Sequence, residues 1–141
     1  MDKPKLIRAS LLLLLLFVSV TTTVAGIDFM IYSNGMLFSL QLAVLEHTPF
    51  SNFFLPGLIS LLVVGGSSLV ALVLMKDHNL YALPASLVSG VIICMWVSLV
   101  SFVFKTILWI EVLYWFIGIT VVVFTLYLQK EYDEIKAKKL P

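Results

Sequence analysis

Charge is scarce in this chain. Asp, Glu, Lys and Arg together supply 12% of its 141 residues, where an ordinary soluble domain carries about 25%. Cysteine is scarcer: Cys94 stands alone. A single cysteine excludes an internal disulfide, a CxxC redox pair and a cysteine-rich metal site, and with them the four-helix membrane thiol oxidoreductases, which need paired cysteines. Nine basic residues against eight acidic ones leave a net charge of +1. That is too little basic surface to displace counterions from a phosphate backbone, so no nucleic-acid partner is expected. The chain also lacks a glycine-rich phosphate loop, a GxSxG elbow, an HExxH pair, and a His and Asp at acyltransferase spacing. No catalytic residue, cofactor or metal is therefore expected.

What fills the chain is apolar surface: 61% of residues are hydrophobic and the mean hydropathy is +1.09. A domain this small buries the smallest share of its surface, so lipid rather than water must be its solvent. Charge-free runs extend from Ala9 to Ile27, Thr48 to Met75, Leu80 to Phe104 and Val112 to Gln129. Each can supply the roughly 17–25 apolar residues of a membrane helix. Continuous runs without alternation mean helices, which satisfy their own backbone in lipid. The chain reads as one all-α membrane domain over 1–141, a polytopic four-helix bundle. Its spans fall near 8–27, 53–75, 81–104 and 110–129, with an outer interfacial segment at 28–52 and a tail at 130–141. For span one a cleaved signal peptide over 1–25 is the rival reading: Lys3, Lys5 and Arg8 form a basic head before six leucines. The apolar run continues past Ala25, which favours a retained helix.

Phe29 to Leu45 is too short and too polar for a fifth crossing. With four spans, Lys3, Lys5, Arg8, Lys76, Lys130, Lys136, Lys138 and Lys139 share one side and only Lys105 lies opposite. This positive-inside pattern puts both termini in the cytoplasm. Met36 to Leu45 then reads as a short helix lying in the outer interface, with Leu37, Leu40, Val44 and Leu45 at helical spacing and Ser39 and Gln41 elsewhere on the wheel. Thr48 and Ser51 offer N-caps for span two, and Pro56 and Pro84 suit opening turns. Trp109, Tyr114, Trp115, Phe50, Phe53 and Phe54 read as an outer aromatic belt; Tyr81, Tyr127 and Tyr132 read as the inner one.

In lipid, helices associate through close backbone approach and side-chain hydrogen bonds. Span three carries a helix-packing stripe of small residues every four positions: Ser86, Gly90, Cys94 and Ser98. Span two concentrates them at Gly65, Gly66, Ser67 and Ser68. Close packing of spans two and three is expected, within a monomer or across a dimer. Glu134 and Lys138 make a favourable i,i+4 pair in the tail, and Lys136, Lys138 and Lys139 can touch anionic headgroups.

Chemistry-bearing residues are few. Asp28, Glu46, His47 and Glu111 form a candidate polar cluster on the outer face. Carboxylates beside a histidine bind a divalent metal or run acid–base chemistry only when geometry converges them. Their spacing matches no ligand motif, and loop charges at a membrane edge are the plainer reading. Glu111 is the ionisable group closest to a span. It rests at the interface if span four begins after it, and needs a partner if the span begins near Thr106, with Lys105 the only base nearby in sequence. Thr21, Thr22 and Thr23 are expected to bond back to their own helix carbonyls.

The stretch Leu45-Glu46-His47-Thr48-Pro49-Phe50-Ser51-Asn52-Phe53-Phe54-Leu55-Pro56-Gly57-Leu58-Ile59 resembles an uncharacterised family of small four-helix bacterial integral membrane proteins, whose members lead into their second span with a similar Pro-Phe and Pro-Gly-Leu pattern. Leu113-Tyr114-Trp115-Phe116-Ile117-Gly118 is similar to the same family's Leu-Tyr and Gly pattern in span four. The resemblance implies a bacterial inner-membrane location and four helices, and supplies no activity. Pro49 and Pro56 read as fixing the angle of span two, with Phe50, Phe53 and Phe54 anchoring it at the lipid–water boundary; a ligand-gripping outer loop is the competing interpretation.

Three functions follow as expectations. The first is a non-enzymatic accessory or homo-oligomeric helix-packing protein, whose partners are the lipid bilayer and a second copy or another membrane protein. The second is an oligomeric, proton-coupled or small-solute transporter or channel using Glu111. The third is a membrane enzyme on a lipid or quinone substrate using Glu46, His47 and Glu111.

Overall fold

The computed structural model describes residues 2–36, 42–105 and 107–139. The chain is all-helical, 84% helix with no strand among those residues. Four helices are long and apolar enough to cross a membrane: α1 (Lys3–Ile31), α2 (Phe54–Lys76), α3 (Ala82–Phe104) and α4 (Trp109–Lys139). At 1.5 Å per residue, α1 and α4 measure about 43 and 46 Å, well beyond the ~30 Å of a hydrocarbon core. Each helix therefore outruns its apolar run, α4 by the charged turns of the tail. There Lys130 pairs with Glu134 at 3.9 Å, one turn before the expected Glu134–Lys138 pair.

Neighbouring helices run antiparallel and close a ring. Ser68 on α2 and Ser89 on α3 share a hydrogen bond of 2.9 Å, both fully buried. Thr21 on α1 bonds the Tyr114 hydroxyl on α4. Arg8, near the start of α1, donates to the Met75 carbonyl at the end of α2, where a cation also meets the negative end of the helix dipole. Leu11, Leu15 and Val18 of α1 are fully enclosed in the common core, alongside Val64 and Ala71 of α2, Ile93 of α3 and Val121 of α4.

The tightest crossings join α1 to α2 and α3 to α4. A methyl group on Gly26 would stand 2.7 Å from Leu61 Cβ and 2.8 Å from the Gly57 carbonyl oxygen. On Gly90 it would stand 2.8 Å from Val122 Cγ2 and 3.2 Å from the Gly118 carbonyl oxygen. At each crossing a backbone carbonyl stands so close that only a missing side chain permits it. Spans two and three do touch, through Ser68 and Ser89, and Gly26 and Gly118 bring spans one and four into close backbone contact as well.

Within α2, Ser60–Gly65 is a π-turn. A regular helix drifts by about 40° every four residues. A turn that closes on the fifth residue lags behind that drift, so Gly57, Leu61 and Gly65 all address α1, Gly65 against the Thr22 and Thr23 hydroxyls.

Between α1 and α2, the described part of the expected interfacial helix is a single 3-10 turn, Leu42–Leu45, which buries Leu45; Leu37, Ser39, Leu40 and Gln41 lie outside the described residues. Thr48 and Ser51 do not cap α2. Instead the Asn52 side-chain oxygen accepts the Phe54 N–H at 3.1 Å, while the Thr48 hydroxyl donates to the Leu45 carbonyl at 2.9 Å. Phe53 is not a boundary anchor either, being 1% exposed. Its N–H donates to the Ser33 carbonyl at 2.9 Å, and its ring stacks on Phe29 at 5.5 Å and meets Phe104 edge-on at 5.9 Å. This aromatic plug ties the ends of α1 and α3 to the start of α2.

Candidate functional site

Antiparallel pairing of α3 with α4 brings a polar series to the end of the bundle that also holds Lys105. Each step of about four residues back along α3 is matched by one forward along α4: Ser101 with Glu111, Ser98 with Trp115, Cys94 and Gly90 with Gly118. Trp115 Nε1–H donates to Ser98 Oγ at 3.0 Å, and the Ser98 hydroxyl donates to the Cys94 carbonyl at 2.8 Å. Ser86 is fully buried and donates to the Ala82 carbonyl at 2.8 Å. Gly90, Cys94 and Ser98 thus meet α4 of the same chain.

Glu111 is buried by its neighbours in the protein, at 8% exposure. It is the third residue of α4, and its Oε2 accepts the Ser101 hydroxyl at 2.8 Å and the Leu108 N–H at 3.2 Å. Leu108 also gives its carbonyl to the N–H groups of Glu111 and Val112, so it stands at the cap position. A glutamate reaching back to the cap residue's N–H is half of a capping box, and its negative charge faces the positive end of the helix dipole. The partner of Glu111 is a hydroxyl and an amide, not Lys105: among the described residues the ion pairs are Lys5–Asp2 and Lys130–Glu134. Thr106 lies outside the described residues, and α4 begins three positions later.

The rest of the outer polar cluster does not converge. Asp28 is half-buried in the last turn of α1, and Glu46 and His47 are exposed after the 3-10 turn. Among the described residues no three His, Cys, Asp or Glu side chains stand close enough to hold a metal. His47 does reach the same neighbourhood as Ser101, since both line a shallow hollow of about 560 Å³ together with Lys105.

Some residues of this region escaped sequence reasoning. The Thr21–Tyr114 bond ties α1 to the start of α4. Thr21 and Thr22 also bond back to Phe17 and Val18 at 2.6 Å each, as expected. Tyr114 read as a belt residue because position along a span does not tell which way a ring points. No protein-family model, no curated protein and no solved structure matches this chain.

Proposed function

We propose that this chain is a non-enzymatic four-helix protein of the bacterial inner membrane, both termini cytoplasmic, that works through helix–helix association as an accessory subunit or a homo-oligomer. The observation that carries this reading is the seam between α1 and α4. A second helix needs a long, smooth, apolar hollow to press into. Leu13, Phe17, Val20, Thr120 and Phe124 border one of about 790 Å³ on the outer surface of the bundle. Gly90 of α3 is already engaged with α4 inside the chain, which leaves this other face for association. Single cysteines at position 13 or 17, in a Cys94→Ser background, are expected to crosslink in native membranes to a second copy or to another membrane protein. Yields no greater than at Phe102, which is 83% exposed on α3, overturn the reading.

Burial of Glu111 favours a second reading, a transporter or channel acting as an oligomer, because an ionisable group away from water is a functional flag by default. In that case Glu111→Gln abolishes flux in proteoliposomes while leaving the fold intact. Flux that survives the substitution removes the role.

A further inference from the structure

The hollow at the Lys105 end of the bundle has two unlike walls. Pro49 from the loop before α2, with Phe102, Val103 and Ile107 at and beyond the end of α3, makes it mainly apolar, and His47 and Lys105 supply its polar side. The two hydroxyls on its surface are already spent: Thr48 donates to the Leu45 carbonyl and Ser101 to Glu111. His47 and Lys105 are both exposed, and among the described residues neither has a hydrogen bond or ion pair. Lys105 is moreover the one basic residue at this end of the chain's apolar spans. It is held at the C-cap of α3 in the left-handed region, φ 51°, a conformation that favours glycine. Glu46, beside His47, is exposed and does not line the hollow.

Two unpartnered donors over an apolar trough of about 560 Å³, at the end of a membrane-length helix, match an amphiphile with a negatively charged head. We propose that this hollow binds the phosphate headgroup of one anionic phospholipid. The Lys105 ammonium and the His47 ring N–H hold the phosphate oxygens, and the glycerol and upper acyl chain lie along Val103 and Ile107. The commitment to a lipid rather than a soluble phosphate comes from the apolar wall, which a free phosphate leaves uncovered.

The test uses the full chain in vesicles, with Cys94→Ser and a bimane label on Ser51→Cys, an exposed position two residues from Pro49. Quenching is compared for brominated phosphatidylglycerol and brominated phosphatidylcholine at equal mole fraction. One well-placed cation near a membrane surface is worth a preference of about fivefold, and the anionic lipid is expected to quench more strongly by that factor. Lys105→Gly with His47→Gln should bring the ratio close to one. Glycine suits the left-handed position, so misfolding does not explain such a loss, and circular dichroism checks that the helices persist. Lys136→Gln, Lys138→Gln and Lys139→Gln together should leave the ratio unchanged, since they lie at the other end of α4. A ratio near one in the parent, a ratio that survives loss of both donors, or one erased by millimolar glycerol phosphate overturns the proposal, the last by assigning the site to a soluble ligand.

Discussion

If missing side chains hold the two tight crossings together, adding one methyl group should cost stability in a defined order. At Gly26 the new methyl meets atoms fixed to backbone, Leu61 Cβ at 2.7 Å, the Gly57 oxygen at 2.8 Å and Leu61 Cα at 3.2 Å. The helices must part, and overpacking of this kind costs roughly 1–3 kcal/mol; Gly26→Ala belongs at the top of that range. At Gly118 the worst contact is Cys94 Sγ at 2.6 Å, followed by Ile93 Cγ2 at 3.1 Å and the Gly90 oxygen at 3.2 Å. The sulfur sits on a single rotatable bond, so part of the strain relaxes at about 1 kcal/mol for an off-rotamer angle. Against this, alanine gains about 1 kcal/mol over glycine in helix propensity. Gly118→Ala should therefore lose only about 1 kcal/mol, and Cys94→Ala should remove most of that loss, a coupling of about 1 kcal/mol between two touching positions. Gly66 is the control: its methyl would find nothing nearer than the Leu61 oxygen at 4.0 Å, so Gly66→Ala should be neutral or stabilising. Equilibrium unfolding in mixed micelles, read by near-UV circular dichroism, gives each value. A Gly66→Ala loss as large as that of Gly26→Ala, or strict additivity of Cys94→Ala and Gly118→Ala, refutes the reasoning.

The same assay reads five further substitutions and one deletion. Glu111→Ala orphans the Ser101 hydroxyl and the Leu108 N–H and should cost about 1–3 kcal/mol, whereas Glu111→Gln keeps an acceptor oxygen and should cost under about 1 kcal/mol. Equal losses would mean that charge, not acceptance, is what the site needs. Phe53→Ala should lose about 3 kcal/mol by opening a cavity between Phe29 and Phe104, while Phe54→Ala, 40% exposed, should lose far less; matched losses would sink the aromatic plug. Arg8→Gln should cost about 1 kcal/mol through the lost contact with the end of α2, and an unchanged midpoint would dismiss it. Deleting Leu62, 61% exposed, should restore a regular α-helix and leave Ser68, Ala71 and Met75 facing their present neighbours, because the π-turn lags by about the 100° that one residue contributes. A deletion mutant that fails to fold would refute that account of the π-turn.

How far the sequence foretold this arrangement depends on which property each residue advertises. The four spans are announced by sustained apolarity, a sum over about 20 residues that no single substitution disturbs, and all four helices sit on the charge-free runs. Helix ends are less legible. Residues 3–8 are charged enough to read as a flank, but lysine and arginine are good helix formers, so α1 continues through them. The continuation of α4 into the tail, by contrast, is announced by charges at i,i+4 spacing. The start of α2 is another end that is hard to read: Thr48 and Ser51 are good capping residues, but the backbone puts the cap at Phe53, whose side chain cannot serve as one, and Asn52 braces the Phe54 N–H beside it. The π-turn left no mark at all. SLLVVG is as compatible with one helix geometry as with another, and the choice rests on contacts made by Gly57 and Gly65 with a different helix.

Packing partners were harder for a related reason. A run such as Ser86, Gly90, Cys94 and Ser98 states that one face of a helix is smooth, but not whose surface it meets. The complementary signal was a pair of single glycines, Gly26 and Gly118, in spans otherwise full of leucine, valine and phenylalanine. One glycine carries no periodicity, yet one is enough when the contact is a point crossing rather than a seam. Glu111 shows the same gap for the polar site. Its position in the chain allowed a wet boundary residue or a buried acid requiring a base, because charge spacing in a sequence advertises side-chain partners and not backbone ones. The first turn of a helix carries unsatisfied N–H groups and a positive dipole end, and a glutamate three residues inside it can answer both. That capping explains how a carboxylate is accommodated at 8% exposure without a cation. It also bears on a proton-coupled role: a proton on Oε2 would have to displace the Ser101 or Leu108 bond and so would loosen the start of α4, whereas a proton on Oε1 would leave both bonds in place.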